Sequence, residues 1–586
     1  MPNLNVNFQG ATLVKPGSYY ADDVSGNLPL GPANTPPAIF IGYFNGLAPF
    51  TPTTFATPQD ALRAVRGSAS GAFIPFLWNP SNQVNGASLV TLINACENTQ
   101  ATFTMNGSGA TAVLNWKTAD YGLPSNLMQA SVAAGSTAGV AITIYDGYAN
   151  TTYTQDNLGV PMQVAYLGSG VVTYTVTATA GVATSLAITS TIAGESVSIQ
   201  LGSAGYPTIA SVAAYLNGTG HFLANVIGDG SLPSQYLDAA SAISLPAPVS
   251  SVDSYVSVTA TLGAIVYWAS QYLSNVVTVA IAASVVSSPT TAPVVIPLTH
   301  FTGAASVPPT TGDYATAFNA ALLTPGWAIC ADSNSAAVIA LGAAHAVQAS
   351  GITAKAWRRF FTGSSIGDTV TSAVANARIM DATEATYFYP GIQRTNTTTG
   401  LNTYYGGLYA AAAAVGMVCG NPVAMALTNK SLVGNGVEVG LTLAQIDTLQ
   451  QGGVTPIIAG PSSVPTVCSD ITSWQLDPNP ENCFNQQVGC RQALAYALTQ
   501  GMQPYVGSIE SPIVIGIKKQ AATRILNSLI YTPGGNGILA SWDPKSLFLT
   551  YTGTNQTLGV RVKVVFVGQD RFIEILVNVE PLNLGF

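Results

Sequence analysis

The chain carries very little charge for its length, and this limits the kind of surface it can have. Charged residues make up 8% of its 586 residues, against about 25% in ordinary soluble domains. A protein that stays monomeric in water normally needs more surface charge than this. We therefore expect much of the surface to be covered by other copies of the same chain.

The few charges are also unevenly placed. No lysine or arginine occurs between Lys117 and Lys355. Residues 510–586 carry seven basic and five acidic residues, a net of +2, which leaves −10 for the rest of the chain given the formal total of −8. Nucleic-acid binding needs clustered basic side chains that contact phosphates. This distribution therefore argues against a nucleic-acid partner.

The residue pattern changes along the chain and predicts a multidomain α+β protein. Residues 1–30 show no core pattern and predict an extended N-terminal arm. Residues 31–99 and 292–510 alternate short apolar strands with helical patterns, which predicts one α/β core domain built from both parts. Residues 100–291 consist of short alternating runs separated by glycine-containing turns, which predicts a β-rich insertion with trailing helices. Residues 511–586 form a C-terminal domain that ends in a β-hairpin or arm.

The C-terminal domain holds the clearest strand signal. Apolar side chains alternate on both sides of a turn at residues 568–570, at Val562, Val564, Phe566, Ile573, Ile575, Val577 and Val579. This pattern predicts a long hairpin over residues 561–580. Its outer edge would present a row of unpaired backbone amides and carbonyls, which readily pairs with another chain.

A helix is predicted immediately before that hairpin. Apolar residues recur every four positions, at Ile517, Ala521, Ile525 and Leu529, and this spacing favours one buried helical stripe. Three basic residues lie off the stripe: Lys518, Lys519 and Arg524. We expect these three side chains to form an exposed, positively charged face.

Another helix start is marked at Thr442. Thr442 and Gln445 have the spacing of a capping box, in which each side chain satisfies a backbone amide at the helix N-terminus. Leu441 and Ile446 can form the accompanying hydrophobic staple. The glycine pair at Gly452 and Gly453 predicts where this helix ends.

No membrane-inserted or secretory segment is expected. The most apolar stretch, Leu408 to Cys419, is about twelve residues long, whereas a spanning helix needs about twenty. It is better explained as a buried, alanine-rich helix. Residues 1–10 are polar and lack the basic and apolar regions of a signal peptide, so cytoplasmic synthesis is the expectation.

The sequence offers no convincing catalytic, metal or cofactor site. Its three histidines, His221, His300 and His345, lack the spacing of a helical zinc site. The run from Gly363 to Gly367 matches a nucleophile elbow around Ser365, but no histidine follows it in the chain, as that hydrolase order requires. No lysine follows a glycine, so the end of a phosphate-binding loop is absent. We expect a protein that is not an enzyme.

Six cysteines occur, and three of them lie in a proline-rich stretch. Cys330 and Cys419 sit in apolar runs and are expected to be small core residues. Cys468, Cys483 and Cys490 lie where a disulfide within or between subunits is an alternative to free thiols. No close pair with the spacing of zinc ligands is present.

Several stretches carry a family resemblance when taken together: the segment with Lys15, Pro16, Gly17, Tyr19 and Tyr20, the strand and helix within residues 38–66, the turn at 119–126, and residues 405–410, 441–453 and 561–580. Together they resemble the sheath proteins of contractile tails, especially those of Mu-like phages and R-type pyocin-like particles. Thr455 stands where family members often have asparagine, and residues 298–303 lack a double glycine found there.

This resemblance implies a structural subunit of a bacteriophage or bacteriocin tail, located in the virion and made in the host cytoplasm. Such subunits polymerise as a helical sheath of hexameric rings around a tail tube protein, between a baseplate and a terminator protein. Terminal arms would add strands to neighbouring subunits, here through residues 15–20 and the hairpin. The resemblance further implies a contraction that drives the tube through the host envelope, with the basic face of Lys518, Lys519 and Arg524 holding an acidic tube.

Other functions share some of these features. A different self-assembling surface protein, such as an S-layer or fibrous adhesin, would show the low charge and the β-rich middle, but should carry a secretory signal. A polysaccharide-active enzyme would need an acid and base pair, and the sequence offers no such pair that we can locate.

Overall fold

The structure is a computed structural model, and it describes most of the chain. The described residues are 6–8, 11–13, 37–202, 205–246, 255–286, 290–351, 353–395, 400–460, 463–476, 480–532, 536–552 and 557–568. Most of the predicted N-terminal arm and the segment after residue 568 lie outside them.

The described residues form strands and helices in mixed order. The strands are β1 (Val6–Phe8), β2 (Ala11–Leu13), β3 (Ala38–Gly42), β4 (Pro52–Phe55), β5 (Val90–Asn94), β6 (Gln100–Asn106), β7 (Ala112–Tyr121), β8 (Met128–Ala134), β9 (Val140–Asp146), β10 (Thr151–Leu158), β11 (Met162–Tyr166), β12 (Val172–Thr179), β13 (Val182–Ser190), β14 (Val197–Gln200), β15 (Phe222–Val226), β16 (Ala240–Leu245), β17 (Val256–Val258), β18 (Val277–Ile281), β19 (Ile296–His300), β20 (Ala328–Ala331), β21 (Arg359–Gly363), β22 (Ala385–Tyr389), β23 (Ile392–Thr395), β24 (Asn402–Tyr405), β25 (Gly436–Val437), β26 (Val454–Ala459), β27 (Pro465–Val467), β28 (Leu539–Thr552) and β29 (Thr557–Phe566). The helices are α1 (Pro58–Ala64), α2 (Ile74–Trp78), α3 (Ile209–Gly218), α4 (Gly263–Tyr272), α5 (Thr311–Leu322), α6 (Ala336–Ser350), α7 (Val370–Met380), α8 (Gly407–Gly420), α9 (Leu443–Gln451), α10 (Pro480–Cys483), α11 (Asn485–Met502) and α12 (Pro512–Ser528).

The chain divides into two compact units. The first combines residues 1–96 with 308–586, and the second is the insertion 97–307. The sequence pattern placed the end of the insertion at residue 291. The structure extends the insertion because β19 pairs with β8 inside it, joining Ile296 to Val132 and His300 to Gln129.

The first unit is built on an eight-stranded sheet in the order β27-β26-β22-β21-β20-β3-β5-β4. The six central strands run parallel, and the edge strands β27 and β4 run antiparallel to their neighbours. Parallel strands need crossover connections, which the helices between them provide. This is the α/β core predicted from the sequence.

Helices cover both faces of this sheet, as its side-chain alternation requires. Along β3, Ala38 and Phe40 pack in a core with α8, whereas Ile39 and Ile41 pack in a second core with α5, α6 and α7. All five residues of β3 are buried, which explains why its sequence is a continuous apolar run.

Helix α8 is the most deeply buried helix of the described residues, as expected from its apolar stretch. Twelve of its fourteen residues are buried, including Ala410 to Ala414. A β-carbon added at Gly416 would lie 2.3 Å from the Leu77 carbonyl oxygen, and one at Gly420 would lie 2.0 Å from the Gly86 carbonyl oxygen. Gly416 therefore allows the backbones of α8 and α2 to approach closely, and Gly420 allows the same between α8 and the segment that follows α2. Among the described residues, no helix is long and apolar enough to cross a membrane.

Capping boxes start several helices of this unit. Thr442 and Gln445 form the predicted box at α9, with the Gln445 amide donating to the Thr442 hydroxyl at 3.3 Å and the Thr442 amide donating to Oε1 of Gln445 at 2.9 Å. Thr310 with Asp313 at α5, and Thr369 with Ser372 at α7, make the same arrangement. Such caps fix where each covering helix begins on the sheet.

The insertion is β-rich, as predicted. Its strands β6 to β19 form four antiparallel sheets of three or four strands each. One core of buried apolar residues, which includes Trp116, Ile144 and Tyr166, serves all of them. The helical spacing in the sequence corresponds to α3, which buries Ile209, Val212, Ala213 and Leu216.

A buried arginine closes the C-terminal end of α5 in the first unit. Arg358 has no exposed surface, and its guanidinium donates to the Ala321 carbonyl at 2.8 Å, the Gly326 carbonyl at 3.2 Å and the Thr324 carbonyl. The negative end of the helix dipole stabilises a positive charge at this position. The Nη1 group also donates to the His345 ring at 2.9 Å.

This contact predicts that the stability of the subunit depends on pH, and that replacing His345 removes this dependence. Burial and the Arg358 charge lower the pKa of His345 to about 3, so the folded state favours the neutral ring. The resulting stability is fully present above the unfolded pKa of about 6.5 and is lost as the pH falls below it. Relative to His345→Gln, the wild-type free energy of unfolding should fall by about 1 kcal/mol per pH unit between pH 6 and 4.

Urea unfolding at four pH values measures this difference. His300→Gln is the matched control, because His300 lies in the insertion and is exposed. Parallel curves for the wild-type protein and His345→Gln would contradict the assignment.

Candidate inter-subunit surface

The last strands of the described residues form a two-stranded antiparallel ribbon, which we call the terminal ribbon (β28 and β29). Its register pairs Leu539 with Phe566, Trp542 with Val564, and Leu549 with Val560. Two irregularities interrupt the pairing, and the second spans residues 543–548. There the Lys563 amide donates to the Ser546 hydroxyl at 2.7 Å, which holds the bulge against β29. Bulges of this kind increase the twist of a ribbon.

One face of the terminal ribbon packs against helices. Leu539, Leu547, Val562 and Val564 are buried in a core with Leu494 of α11 and with Ala522 and Leu526 of α12. Trp542 donates from Nε1 to Oδ1 of Asn527 at 2.9 Å. This packing supplies the apolar cover that a two-stranded ribbon needs to be stable.

The other face of the terminal ribbon carries exposed apolar side chains. Phe548 is 61% exposed and Val565 is 57% exposed. Within the described residues no third strand joins the sheet, and a single bridge between Ile530 and Leu539 contacts its edge. Exposed edges flanked by apolar side chains are typical of surfaces that accept a strand from another chain.

The end of β29 is anchored to α11. The Val567 carbonyl accepts from the side-chain amides of Gln487 at 3.2 Å and Gln486 at 3.4 Å. Gln486 also donates to the Ala424 carbonyl at 2.6 Å. These contacts fix the position at which the C-terminal segment leaves the ribbon.

Helix α12 covers the terminal ribbon with one side and exposes the other. Its N-terminus is capped by Ser511, whose hydroxyl accepts from the Val514 amide at 3.2 Å. Leu526 and Ala522 face the ribbon, while Ile513 is 78% exposed and Ile517 is 45% exposed. Of the predicted stripe, Ala521 and Leu529 are buried and Ile525 packs against the same core, whereas Ile517 is exposed.

The chain is similar to known proteins in both sequence and fold. No protein-family model matches the chain. The chain is 27% identical over 468 residues to the tail sheath protein of Bacillus phage SP01, which covers 77% of this chain and 76% of the relative. The structure superposes on the sheath tail protein of Listeria innocua with a TM-score of 0.54 at 10% identity, covering 92% of this chain and 96% of that one. The corresponding protein of Desulfitobacterium hafniense gives a TM-score of 0.51 at 11% identity, covering 92% and 98%.

The chain has the fold of a tail sheath protein. The resemblance noted in the sequence is confirmed, and so is the multidomain α+β class. Both sheath structures are covered almost completely, so the similarity extends over the whole architecture.

Within this sheath fold, the predicted strand-exchange residues fall into two groups. The first group lies outside the described residues, and its role stays a prediction. It comprises Lys15, Pro16, Gly17, Tyr19 and Tyr20 near the N-terminus, and Ile573, Ile575, Val577 and Val579 near the C-terminus. Val562, Val564 and Phe566 lie in β29.

Val562 and Val564 cannot offer their side chains to another subunit, because both are 4% exposed and pack on α11 and α12. Phe566 is half-buried in the same core. The exposed apolar side chains of the ribbon are instead Phe548, Tyr551, Val560 and Val565. Sequence reasoning missed β28, although Leu547, Leu549 and Tyr551 alternate along it, because Pro544 is untypical of a strand.

One of the three basic residues that were predicted to form an exposed face of α12 is buried instead. Lys518 is 2% exposed and pairs with Glu510, so it cannot contact a partner. Its position falls on the side of α12 that faces the core, and the carboxylate of Glu510 compensates its charge there. Lys519 and Arg524 are exposed, as expected.

The proline-rich cysteines differ in burial. Cys490 is a fully buried free thiol in α11, and burial raises its pKa to about 12. Cys468 and Cys483 are half-buried, and a disulfide involving these two stays a prediction. Cys330 and Cys419 are buried in the core beneath α8, as expected for small core residues.

The geometry around Ser365 agrees with a turn. Its hydroxyl contacts Asn334, with Nδ2 of Asn334 at 2.8 Å, and its backbone amide donates to Asp368 at 2.8 Å. Across the described ranges, no group of three or more histidine, cysteine or acidic residues is placed to hold a metal ion.

Proposed function

We propose that this chain is the structural subunit of a contractile tail sheath that polymerises around a tail tube by strand addition between subunits. The observation that carries the proposal is the terminal ribbon, which no third strand joins in the described residues. Similarity to a phage tail sheath protein supports it. The protein then acts without catalysis, as a component of the virion.

Strand addition suits the composition of both ends of the chain. In residues 573–579 apolar side chains recur at every second position, at Ile573, Ile575, Val577 and Val579, which fits a strand that can pair along the terminal ribbon of another copy. A backbone hydrogen bond contributes about 1 kcal/mol net, so several such bonds give a firm joint. The low charge of the chain agrees with extensive burial against sister copies.

Joints made by strand addition would let a sheath contract without falling apart. The backbone bonds to the neighbouring subunit would persist while the folded units move. Such a sheath would assemble as hexameric rings of this subunit. Its partners would be a tail tube, a baseplate and a terminator protein. Contraction would then drive the tube through the host envelope.

Paired substitutions in the C-terminal segment test whether backbone bonds carry the joint. Ile575→Pro with Val577→Pro removes two amide donors, and should abolish polymerisation. The matched control, Ile575→Thr with Val577→Thr, keeps both donors and a strand-forming side chain, and should retain most of it. Negative-stain microscopy counts tubes, and circular dichroism checks folding.

Two outcomes would contradict the proposal. Tubes formed equally well by the proline variant would exclude strand addition through this segment. Flat lattices from the wild-type protein would indicate a surface-layer protein instead of a sheath.

A further inference from the structure

The insertion contains a cleft of about 300 Å³ that opens to solvent. It forms where the end of β10, the loop after β15 and helix α4 meet. Its floor is apolar and includes Leu158, Leu232 and Trp268, all of which are buried. Asp229 and Tyr267 also line it. Sites for small molecules combine an apolar lining with a few polar groups that fix the orientation of the ligand.

Three tyrosines, Tyr236, Tyr267 and Tyr272, lie at this cleft, which we call the tyrosine cleft. The Tyr267 hydroxyl donates to the Ser231 carbonyl at 3.3 Å, and the Tyr272 hydroxyl reaches Oδ2 of Asp229 at 3.5 Å. The ring centres of Tyr236 and Tyr267 are 6.0 Å apart at an angle of 51°, so these rings do not cover each other's faces. Tyr272 is 62% exposed and Tyr236 is 40% exposed. Aromatic faces are therefore accessible to a ligand here.

Asp229 supplies the tyrosine cleft with a negative charge in a fixed position. Its Oδ1 accepts from the backbone amide of Ser231 at 2.8 Å and from the Ser231 hydroxyl at 2.7 Å. Its charge raises the pKa of Tyr272. Within the described part of the chain, Asp229 forms no ion pair. A bound cation would therefore meet a carboxylate whose charge is not yet compensated.

The charge of the whole insertion also favours a cationic ligand. Residues 97–307 contain eight acidic residues and one basic residue, Lys117, which gives a formal net charge of −7. A surface with one sign of charge attracts ligands of the opposite sign and repels those of the same sign. Anionic groups such as phosphates are therefore disfavoured at this site.

The apolar floor decides which kind of cation fits. A metal ion such as calcium needs several oxygen ligands, and Asp229 is the only carboxylate among the described residues that line the cleft. A primary ammonium carries three donors, for which the side chains of the floor offer no acceptor. Methyl groups on the nitrogen replace these donors with apolar surface. Quaternary ammonium groups also bind to aromatic faces through cation–π attraction.

We propose that the tyrosine cleft binds a quaternary ammonium cation such as choline, with its methyl groups on the apolar floor and its charge between Asp229 and the tyrosine rings. All residues of the site lie in the insertion, so the binding is separate from polymerisation through the terminal ribbon.

Equilibrium dialysis of labelled choline against the full-length protein tests the proposal. Unlabelled competitors identify the chemistry: ethanolamine lacks the methyl groups, and dimethylbutanol is the neutral isostere in which carbon replaces nitrogen. Each should displace the label only at a concentration at least about tenfold higher than choline needs. Phosphocholine should also compete less well than choline, because its phosphate is repelled by the acidic surface.

Three variants assign the binding to particular groups. Asp229→Asn removes the charge but keeps an acceptor for Ser231, and should weaken choline binding by at least about tenfold. Tyr272→Leu removes one exposed ring and should weaken it by about threefold. Tyr272→Phe is the matched control, because it keeps the ring and should bind choline as the wild type does. Circular dichroism checks that all three variants are folded.

Several results would overturn the proposal. The first is an absence of choline binding by the wild-type protein. Equal competition by dimethylbutanol would reduce the site to an apolar pit, and equal competition by phosphocholine would assign it to a phosphate-bearing headgroup. If Tyr272→Leu lost polymerisation but bound choline normally, Tyr272 would belong to a contact between copies of the chain.

Discussion

Gly416→Ala is expected to lower the free energy of unfolding of the subunit by about 3 kcal/mol, at the upper end of the usual effect of overpacking. The new methyl group would lie 2.3 Å from the carbonyl oxygen and 2.9 Å from the carbonyl carbon of Leu77. Both atoms belong to the backbone of α2, which cannot move aside as a flexible side chain could. The helices would have to separate, and α8 contacts both α2 and the strands of the sheet.

Gly516→Ala is the matched control for this substitution. It makes the same chemical change inside a helix, but nothing lies within 4 Å of the new group. Its effect should be stabilising by about 0.5–1 kcal/mol, through helix propensity alone. Urea midpoints of the unpolymerised subunits compare the two. Equal effects of the same sign would mean that α8 and α2 are not packed as closely as described.

Arg358→Met should destabilise the subunit by about 3 kcal/mol. The guanidinium satisfies three carbonyls at the end of α5, of residues 321, 324 and 326. Methionine fills part of the volume but donates to none of them, so buried acceptors would lose their partners. Loss of the charge also removes its favourable interaction with the helix dipole.

Arg358→Lys distinguishes charge from geometry. Lysine keeps the charge but cannot reproduce the forked donors, so it should recover less than half of the loss. Thermal unfolding of the three proteins at pH 7 measures the ranking. A lysine variant as stable as the wild type would show that charge alone matters.

The sequence predicted the α/β core well because its strands are buried on both faces. β3 and β20 are continuous apolar runs, and β-strands with that pattern fit only the interior of a helix-covered sheet. Capping at Thr442 was predicted for a similar reason, since the box depends on two residues three apart. Local rules of this kind need no knowledge of distant contacts.

The orientation of α12 could not be predicted in the same way. The buried side of α12 holds Ala522 and Leu526 together with the later members of the predicted stripe, but it leaves Ile517 exposed. Next to Ile517, the structure buries Lys518, whose charge is compensated by Glu510. That partner precedes the helix, outside the window in which periodicity is judged.

Burial of Arg358 and Arg359 was also not predicted. Basic residues are rarely fully buried unless they are paired, and no nearby acidic residue in the sequence suggests a pair. Their guanidinium groups donate to backbone carbonyls, to the His345 ring and to Asn485, acceptors that come within reach only once the chain has folded. Such partners leave no mark in the sequence.

The divided first unit also has a consequence for synthesis on the ribosome. β3 pairs with β20 across the insertion, so its second neighbour emerges only after residues 97–307 have been translated. At about 5–20 residues per second, this delay lasts roughly 10 to 50 seconds. During that time the insertion can complete its own sheets, whereas the apolar edge of β3 waits without its partner. Chaperone binding to nascent chains should therefore be strongest in this interval and fall once β20 has emerged.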